Sequence, residues 1–140
     1  MEAFEKKIRG SFARQAFMKT MGAELTVVRR GAVEIRMPFS GQLTQQDDFM
    51  HAGSIASILD SACGYAALSM APAEAEVLSV EFKVNLLSPA VGEEFVARAA
   101  VKRSGKRLSV CSADAFAVKA GKESIIATML ATIIHVFPKS

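Results

Sequence analysis

Residues 51–70 have the sequence HAGSIASILDSACGYAALSM, and this stretch decides the fold. From about Ser54 to Met70 the side chains are small or apolar on every side of a helix, which Pro72 ends. A helix that is apolar all round must be enclosed all round. The rest of the chain is therefore expected to wrap around this helix.

Sequence patterns on both sides of the helix predict the enclosing sheet. Residues 3–20 predict an amphipathic helix that ends at Gly22, and residues 23–39 predict a hairpin with its turn at Arg30-Gly31. Four alternating stretches follow the long helix, at residues 79–86, 95–101, 108–118 and 124–137. The last is apolar on both faces, which predicts a central strand, and the short turns predict antiparallel pairing. The sequence thus predicts an α+β fold, with a curved antiparallel sheet around one long central helix and an additional N-terminal helix.

Composition and charge limit the classes of protein to which the chain can belong. With 140 residues, 51% of them hydrophobic and 22% charged, residues 1–140 are expected to form a single folded domain. The two cysteines exclude a disulfide scaffold, and the charged N-terminus lacks the apolar segment of a secretory signal. An acidic residue inside the only membrane-length apolar stretch disfavours a membrane span. We expect a cytoplasmic protein, and a net charge of +3 is too small to indicate a nucleic acid partner.

The sequence lacks the motifs of several common active sites. No pair of His or Cys residues has the spacing of a zinc site, and there is no Gly-x-Ser-x-Gly elbow of a serine hydrolase. Neither a phosphate-binding Gly-x-x-x-x-Gly-Lys loop nor a dinucleotide-binding Gly-x-Gly-x-x-Gly motif occurs. We therefore expect no metal ion and no cofactor.

Asp60 is the only charged residue between Asp48 and Glu74, and it lies on the helix that is expected to be enclosed. An ionised carboxylate is costly to bury unless water, a polar partner or a ligand meets it. Asp60 is therefore a candidate catalytic residue. The alternative is that it caps a local backbone group or lies at a subunit contact.

The residues before the long helix are a candidate anion site. Free N–H groups at a helix N-terminus, together with the positive end of the helix dipole, attract negatively charged oxygen atoms. Gly53 would allow close approach of the backbone to a ligand. The alternative is an ordinary loop-to-helix entry, with Gly53 or Ser54 as the N-cap. His51 is either a catalytic residue or a hydrogen-bonded structural histidine.

Two segments resemble the hotdog-fold thioesterases of the phenylacetate-degradation (PaaI-like) type. Residues 51–64 resemble the His-Gly-Gly…Asp signature of that family, with the Asp nine residues after the His. Residues 79–90, SVEFKVNLLSPA, resemble the strand after the central helix, and residues 21–25 with Gly31 resemble the first hairpin. The resemblance covers roughly residues 17–136 and implies the hotdog fold.

The resemblance also implies hydrolysis of acyl-CoA thioesters without a metal or a serine nucleophile. Asp60 matches the acid that activates water or attacks the thioester directly, on a substrate whose carbonyl is held by the other subunit. The backbone N–H of Ala52 matches the group that polarises the thioester oxygen, next to His51 and Gly53.

Three further matches carry roles that the sequence alone leaves open. Ala52 replaces the first glycine of the family pair, so its N–H survives but a Cβ lies near the thioester. Gln45 stands where the family usually has an asparagine that helps to hold the thioester or water, and it could equally be a solvated loop amide. Ser79 matches a residue that orients the attacking water, or it is an outward polar residue of an alternating strand.

The densest basic cluster lies at the predicted turn between the strands at 95–101 and 108–118, and it consists of Lys102, Arg103, Lys106 and Arg107. These side chains are candidate ligands for the phosphates of coenzyme A, and the alternative is a solvated hairpin tip. The resemblance further implies a homodimer with sites at the interface, commonly paired into a homotetramer.

Other functions remain open on the sequence. One is a non-catalytic acyl-CoA-binding or sensing hotdog module, and another is a hotdog dehydratase or hydratase with His51 as base. A third is a peripheral membrane protein that binds through residues 3–20. The acyl group is also open, because aryl, short-chain and medium-chain thioesters all fit the motifs, as is the choice between nucleophile and general base for Asp60.

Overall fold

The structure is a computed structural model that describes residues 1–139. Its elements are α1 (Ala3–Arg14), α2 (Ala16–Thr20), β1 (Glu24–Arg29), β2 (Ala32–Pro38), α3 (Ala52–Met70), β3 (Glu76–Leu86), β4 (Glu94–Ser104), β5 (Leu108–Lys119) and β6 (Lys122–Val136). Every predicted strand is present, and α3 begins two residues earlier than predicted. Within these residues, no helix is both long and apolar enough to cross a membrane.

The six strands form one antiparallel sheet in the order β1-β2-β4-β5-β6-β3. The pairs β1–β2, β4–β5 and β5–β6 join neighbours in sequence, as their short turns require. Because α3 and β3 come between β2 and β4 in the chain, β3 reaches the far edge of the sheet and pairs with β6. The prediction that β6 is a central strand is confirmed, since β6 has a partner on both sides.

The core lies between α3 and one face of the sheet. The buried side of α3 includes Ile55, Ile58, Leu59, Ala62 and Cys63. The buried side chains on the three neighbouring strands are mostly small: Ala97 and Ala99 of β4, Cys111, Ala113, Ala115 and Ala117 of β5, and Ala127 and Ala131 of β6. Small side chains let the curved sheet approach the helix closely. The predicted α+β arrangement is confirmed.

The helix predicted over residues 3–20 is two helices in the structure. Gln15 separates α1 from α2, because its ψ angle of 95° takes the backbone out of the helical region. Phe4, Ile8 and Phe12 pack against the core, and Ile8 is fully buried. The amphipathic pattern of α1 is thus explained by packing on the rest of the chain.

One strip of α3 is not enclosed, contrary to the prediction. The half-buried residues recur every three or four positions and are Ala56, Ser57, Asp60, Ser61 and Gly64. The sheet covers one side of the helix and α1 covers part of the other, so that a cleft stays open between α1, α3 and the start of β3. Asp60 therefore lies where water can reach its carboxylate, and not in a sealed core.

The edge strand β3 exposes a row of apolar side chains. The alternating pattern predicted one covered face, but large side chains remain exposed: Leu78 (64%), Val80 (55%), Phe82 (43%) and Leu86 (56%). No other element of residues 1–139 pairs with the outer edge of β3. On the adjacent β6, Leu130 and Ile134 of the outer face are exposed as well. An unpaired apolar edge of this kind is a template for pairing with another chain.

The outer face of the sheet carries a charged network centred on Glu34. Its carboxylate accepts hydrogen bonds from Arg98 (2.8 Å), Arg36 (2.9 Å) and Thr26 (2.7 Å). Burial opposes ionisation of Glu34, but these hydrogen bonds outweigh burial and lower the pKa of its carboxyl to about 2. Arg98 also makes a two-pronged contact with Glu123. The network joins strands β1, β2, β4 and β6.

Candidate active site

A histidine caps the N-terminus of α3. The Nδ1 atom of His51 accepts a hydrogen bond from the N–H of Gly53 at 2.7 Å, and the His51 carbonyl accepts from the N–H of Ser54 at 2.9 Å. The predicted N-cap, Gly53 or Ser54, was therefore wrong, because the imidazole ring supplies the capping acceptor. A Cβ on residue 53 would lie 2.9 Å from Nδ1, so the cap requires glycine at this position.

Ala52 keeps a free N–H in this first turn. No atom of residues 1–139 accepts a hydrogen bond from it, whereas the next two N–H groups are bound to His51. The first residue of a helix has no acceptor one turn before it, and the helix dipole places partial positive charge there. This N–H is suited to stabilise a negatively charged oxygen atom.

A cavity of about 390 Å³ opens beside Ala52, and we call it the Ala52 cavity. Its walls are mostly apolar and include Phe49, Ile55, Leu86 and Ile126. An apolar space next to a free N–H has the chemistry needed to bind an apolar group attached to a carbonyl.

Gln45 lines the Ala52 cavity from the loop that precedes α3. Its Oε1 atom accepts hydrogen bonds from the N–H groups of Asp47 and Phe49, the latter at 3.2 Å. The amide nitrogen of Gln45 has no partner in the described part of the chain. The oxygen atom thus orders the loop, and the amide N–H groups are free to contact a ligand.

Asp60 and Ser79 meet in a second space, which we call the Asp60 cleft. Ser79 Oγ donates a hydrogen bond to Asp60 Oδ1 at 2.6 Å, and both residues line the cleft of about 400 Å³. A hydrogen bond to a charged carboxylate is short and strong, and here it orients the Asp60 side chain. The other carboxylate oxygen, Oδ2, is without a protein partner among the described residues.

The two candidate groups of one chain are too far apart to act on one carbonyl. Ala52 and Asp60 are separated by eight residues of α3, or about 12 Å along the helix axis. A catalytic carboxylate and an oxyanion donor must each lie about 3 Å from the reacting atoms or the attacking water. The structure brings Ala52 together with Gln45, and Asp60 together with Ser79, but it keeps these pairs in separate spaces.

The basic cluster lies at the exposed tip of the β4–β5 hairpin, with Lys102 and Arg103 at the end of β4 and Lys106 and Arg107 in the turn that follows. We call this tip the basic turn. His135 anchors this turn from below: its N–H donates to the Arg107 carbonyl at 2.7 Å, and its Nδ1 lies 3.1 Å from the Lys106 carbonyl oxygen. Nε2 of His135 lies 2.8 Å from Ser109 Oγ, in a buried position. In the described chain the four basic residues line neither the Ala52 cavity nor the Asp60 cleft.

The cysteines are unsuited to nucleophilic catalysis. Both are buried, and burial raises the pKa of the Cys111 thiol to about 11 and raises that of Cys63 as well. A thiolate, not a thiol, is the reactive form. Residues 1–139 also contain no group of three His, Cys, Asp or Glu side chains that could hold a metal ion.

A comparison with known protein families identifies the family to which this chain belongs. The family model of the thioesterase superfamily matches residues 48–124, more than half of the chain, including α3 and the Asp60–Ser79 pair. The chain belongs to the thioesterase superfamily. It is therefore an enzyme of the thioester hydrolase class, as the motif around Asp60 predicted.

Solved structures agree with this assignment. A thioesterase family protein from Silicibacter pomeroyi is 49% identical, with a TM-score of 0.96 over 97% of this chain and 100% of that one. The E. coli PaaI protein of the phenylacetic acid degradation operon is 18% identical, with a TM-score of 0.85 over 95% and 93% of the two chains. A thioesterase from Haemophilus influenzae is 15% identical, with a TM-score of 0.83 over 98% and 92%. The hotdog fold implied by residues 51–64 is confirmed.

Five polar residues of this thioesterase line the Asp60 cleft and were not predicted from the sequence: Ser11, Gln15, Ser61, Tyr65 and Glu76. A signal for Gln15 existed. It follows Phe12 by three residues, so it continues the apolar stripe of α1 with a polar side chain. A polar residue on an otherwise apolar stripe is the sequence signal for a partner at this position.

Proposed function

We propose that this thioesterase hydrolyses acyl-CoA thioesters with a small-to-medium acyl or aryl-acyl group. The observation that carries the proposal is the 2.6 Å hydrogen bond from Ser79 to Asp60, on a helix whose first N–H, that of Ala52, lacks an acceptor among the described residues. Thiolate is a good leaving group, so hydrolysis needs little more than an activated water or carboxylate and an oxyanion donor.

In the proposed reaction Asp60 removes a proton from a water molecule, and the water oxygen adds to the thioester carbon. The oxygen of the tetrahedral intermediate accepts a hydrogen bond from the Ala52 N–H of a second copy of the chain. Collapse of the intermediate breaks the C–S bond, and the departing sulfur takes the proton from Asp60. Direct attack by Asp60 gives the same products through a mixed anhydride that water then hydrolyses. Neither route needs a metal ion or a cofactor.

We propose further that each site is built by two copies of the chain. The distance of about 12 Å between Ala52 and Asp60 along α3 supports this proposal, because no single carbonyl spans it. The exposed apolar edge of β3 supports it as well. Antiparallel pairing of two β3 edges about a twofold axis would bring the Ser79 end of one strand towards the Leu86 end of the other. The Asp60 cleft of one copy would then meet the Ala52 cavity of the second, in a dimer or in a tetramer of two such dimers.

The His51 cap favours hydrolysis over the hydratase or dehydratase alternative. A neutral imidazole whose Nδ1 accepts a hydrogen bond carries its proton on Nε2. His51, with Nδ1 bound to the N–H of Gly53, has no free basic nitrogen with which to remove a proton from a substrate.

The first experiment measures release of free thiol from a panel of acyl- and aryl-CoA thioesters by the wild type and by Asp60→Asn. We expect activity in the wild type and a rate lower by about 10²-fold or more in the variant, since the amide keeps the shape but cannot act as a base. Asp114→Asn is the matched control, because Asp114 lies on β5 and lines neither space. Its carboxylate accepts a hydrogen bond from Thr128. Equal activity of Asp60→Asn and wild type would refute the assigned role, and binding of acyl-CoA without turnover would support a sensing module instead.

A further inference from the structure

Gln15 lies against α3 from the break between α1 and α2. Its Oε1 accepts a hydrogen bond from Ser61 Oγ at 3.1 Å, and its Nε2 donates one to the Tyr65 hydroxyl at 3.0 Å. Ser61 and Tyr65 are one turn apart on α3, so the amide is fixed at both ends. Ser61 directly follows Asp60, and all four side chains line the Asp60 cleft. The Gln15 amide and the Asp60 carboxylate therefore share one space.

Three hydrogen-bonding positions in this space have no protein partner among residues 1–139. Asp60 Oδ2 can accept a hydrogen bond, because Ser79 donates to Oδ1. The Gln15 amide has a second N–H, because Tyr65 takes only one. Ser61 Oγ donates its proton to Gln15 and can still accept. The cleft thus offers two acceptors and one donor around the proposed base.

This set matches the hydrogen bonds of one water molecule. Water donates two hydrogen bonds and accepts two, so it can donate to Asp60 Oδ2 and Ser61 Oγ and accept from the Gln15 N–H. Each bond is about 2.8 Å long, so one water molecule joins groups about 5 Å apart. A bound water with three protein partners is typical of protein interiors. Its fourth position, a lone pair, is then free to bond to carbon.

Gly64 keeps room for such a water on the surface of α3. It lies one turn after Asp60 and lines the cleft, and a Cβ added there meets no heavy atom outside its own helix backbone within 4 Å. Glycine is unfavourable in a helix interior, so it is not explained by the stability of α3. The cleft has a volume of about 400 Å³, which accommodates a water molecule of about 30 Å³ together with part of a substrate.

We propose that Gln15 is a catalytic residue of this thioesterase, whose amide N–H holds the attacking water against Asp60 and Ser61. The water gives one proton to Asp60 Oδ2 while its free lone pair forms the bond to the thioester carbon. The electron pair of the C=O bond moves to the oxygen, which the Ala52 N–H of the second copy stabilises. Gln15 directs the lone pair of the water, and Ser79 directs the carboxylate. This inference rests on the proposed function, and it adds a residue that precedes the family match at residues 48–124.

Gln15→Met removes the amide and keeps the length of the side chain. We expect kcat to fall about tenfold or more and KM to change less than about threefold, because the variant loses the orientation of the water and not the contacts of the substrate. Gln42→Met is the matched control and should keep the wild-type rate, since Gln42 is exposed and lines neither the Ala52 cavity nor the Asp60 cleft. Circular dichroism and Tm report on the folding of both variants.

The Asp60→Asn background separates loss of the water contact from a general disturbance of the site. Gln15 acts on the water that Asp60 activates, so adding Gln15→Met to Asp60→Asn should slow the residual reaction less than about twofold. A disturbance of the fold would slow it by the same factor as in the wild type, and that result would overturn the proposal.

Gln15→Glu tests how close residue 15 is to Asp60. Two carboxylates that are one water molecule apart disfavour each other's ionisation, so the acidic limb of the pH profile of kcat/KM should move up by about one unit. The other titratable side chains that line the cleft, Tyr65 and Glu76, are the same in both proteins. An unmoved limb would mean that residue 15 is too far from Asp60 to share a water, which would refute the proposal.

A crystal structure gives a readout that does not depend on turnover. In the wild type we expect an ordered water within hydrogen-bond distance of Asp60 Oδ2, Gln15 Nε2 and Ser61 Oγ, and in Gln15→Met we expect its loss. A wild-type structure without this water would overturn the proposal. An active wild type whose Gln15→Met variant keeps its rate would refute only the role of Gln15. A protein that holds the water but hydrolyses no thioester would refute the proposed function, and with it the catalytic role of the water.

Discussion

The Nδ1 atom of His51 lies 2.7 Å from the backbone nitrogen of Gly53 and accepts its hydrogen bond. This contact decides which donor at the start of α3 is left for a substrate. The N–H groups of Gly53 and Ser54 are bound by His51, and that of Ala52 has no acceptor within the described residues. The oxyanion site thus consists of one backbone N–H group, which a substitution to proline removes.

Ala52→Pro removes this N–H and is expected to preserve the fold. Proline is favoured at the first position of a helix, and His51 already has the extended backbone (φ −61°, ψ 136°) that a following proline requires. We expect kcat to fall by about 10²–10³-fold, the usual effect of losing an oxyanion donor. Thiol release and circular dichroism measure the two properties. Ala52→Gly is the control and should stay active, because glycine keeps the N–H.

Mixing two inactive variants tests whether each site is shared between copies. Asp60→Asn and Ala52→Pro chains, unfolded and refolded together, should form mixed dimers with one site that carries both changes and one that carries neither. Random pairing would restore about a quarter of the wild-type sites. If both groups acted within one chain, the mixture would stay as inactive as its components.

His51→Ala should lower the free energy of unfolding and leave most of the catalytic rate. Loss of the cap is expected to reduce the free energy of unfolding by about 1 kcal/mol, measured by urea denaturation. The Ala52 N–H remains, so kcat should change less than about tenfold. His51→Asn supplies another good capping side chain and should restore stability. If His51→Asn were stable but more than about 100-fold slower, the imidazole itself would take part in the reaction, contrary to our assignment.

Glu34→Gln should reveal a pH-dependent contribution to stability. The pKa of Glu34 falls from 4.5 to about 2 on folding, so the folded state favours the ionised form. Its contribution is complete above pH 4.5 and is lost as the pH falls towards 2. At pH 7 the variant should be less stable by about 1–3 kcal/mol, and the difference should shrink in acid. Exposed Glu24, changed to Gln, is the control and should follow the wild-type curve.

The thiols of the native protein should react slowly with an aromatic disulfide reagent. Cys63 and Cys111 are buried, and burial raises the pKa of both, that of Cys111 to about 11. In guanidinium chloride the two thiols per chain should react at once. A fast stoichiometric reaction of the native protein would contradict the burial of these residues. Slow reaction also means that the protein adds no background to the thiol-release assay.

The fold was predicted well because the apolar residues of the helices and of the strands follow different and recognisable patterns. Alternation defined the strands, and the continuous run of small and apolar residues defined α3. Asp60 was found for the same reason, as the one charge in that run. The choice of His51 as N-cap was missed, because a ring nitrogen that bonds two residues onward depends on local geometry and not on residue type.

Other features could not be predicted, because a hydrophobic pattern indicates which side chains are buried but not which surface covers them. The apolar side chains of β3 and the open strip of α3 both suggested burial, and the chain covers neither of them completely. At the break between α1 and α2, the Gln15 side chain hydrogen-bonds Tyr65 and Ser61, which lie about 50 residues away in the sequence. The roles of the site residues, coenzyme A as substrate and the cytoplasmic location stay predictions.

The open edge of β3 also bears on how the activity of this thioesterase responds to the amount of protein a cell makes. Each new chain is released with an eleven-residue strand unpaired on one side. If a site exists only between two chains, the fraction of competent chains is set by mass action and rises with their concentration. At low expression, activity would therefore increase with the square of gene dosage, so that a twofold change in synthesis has a fourfold effect on flux.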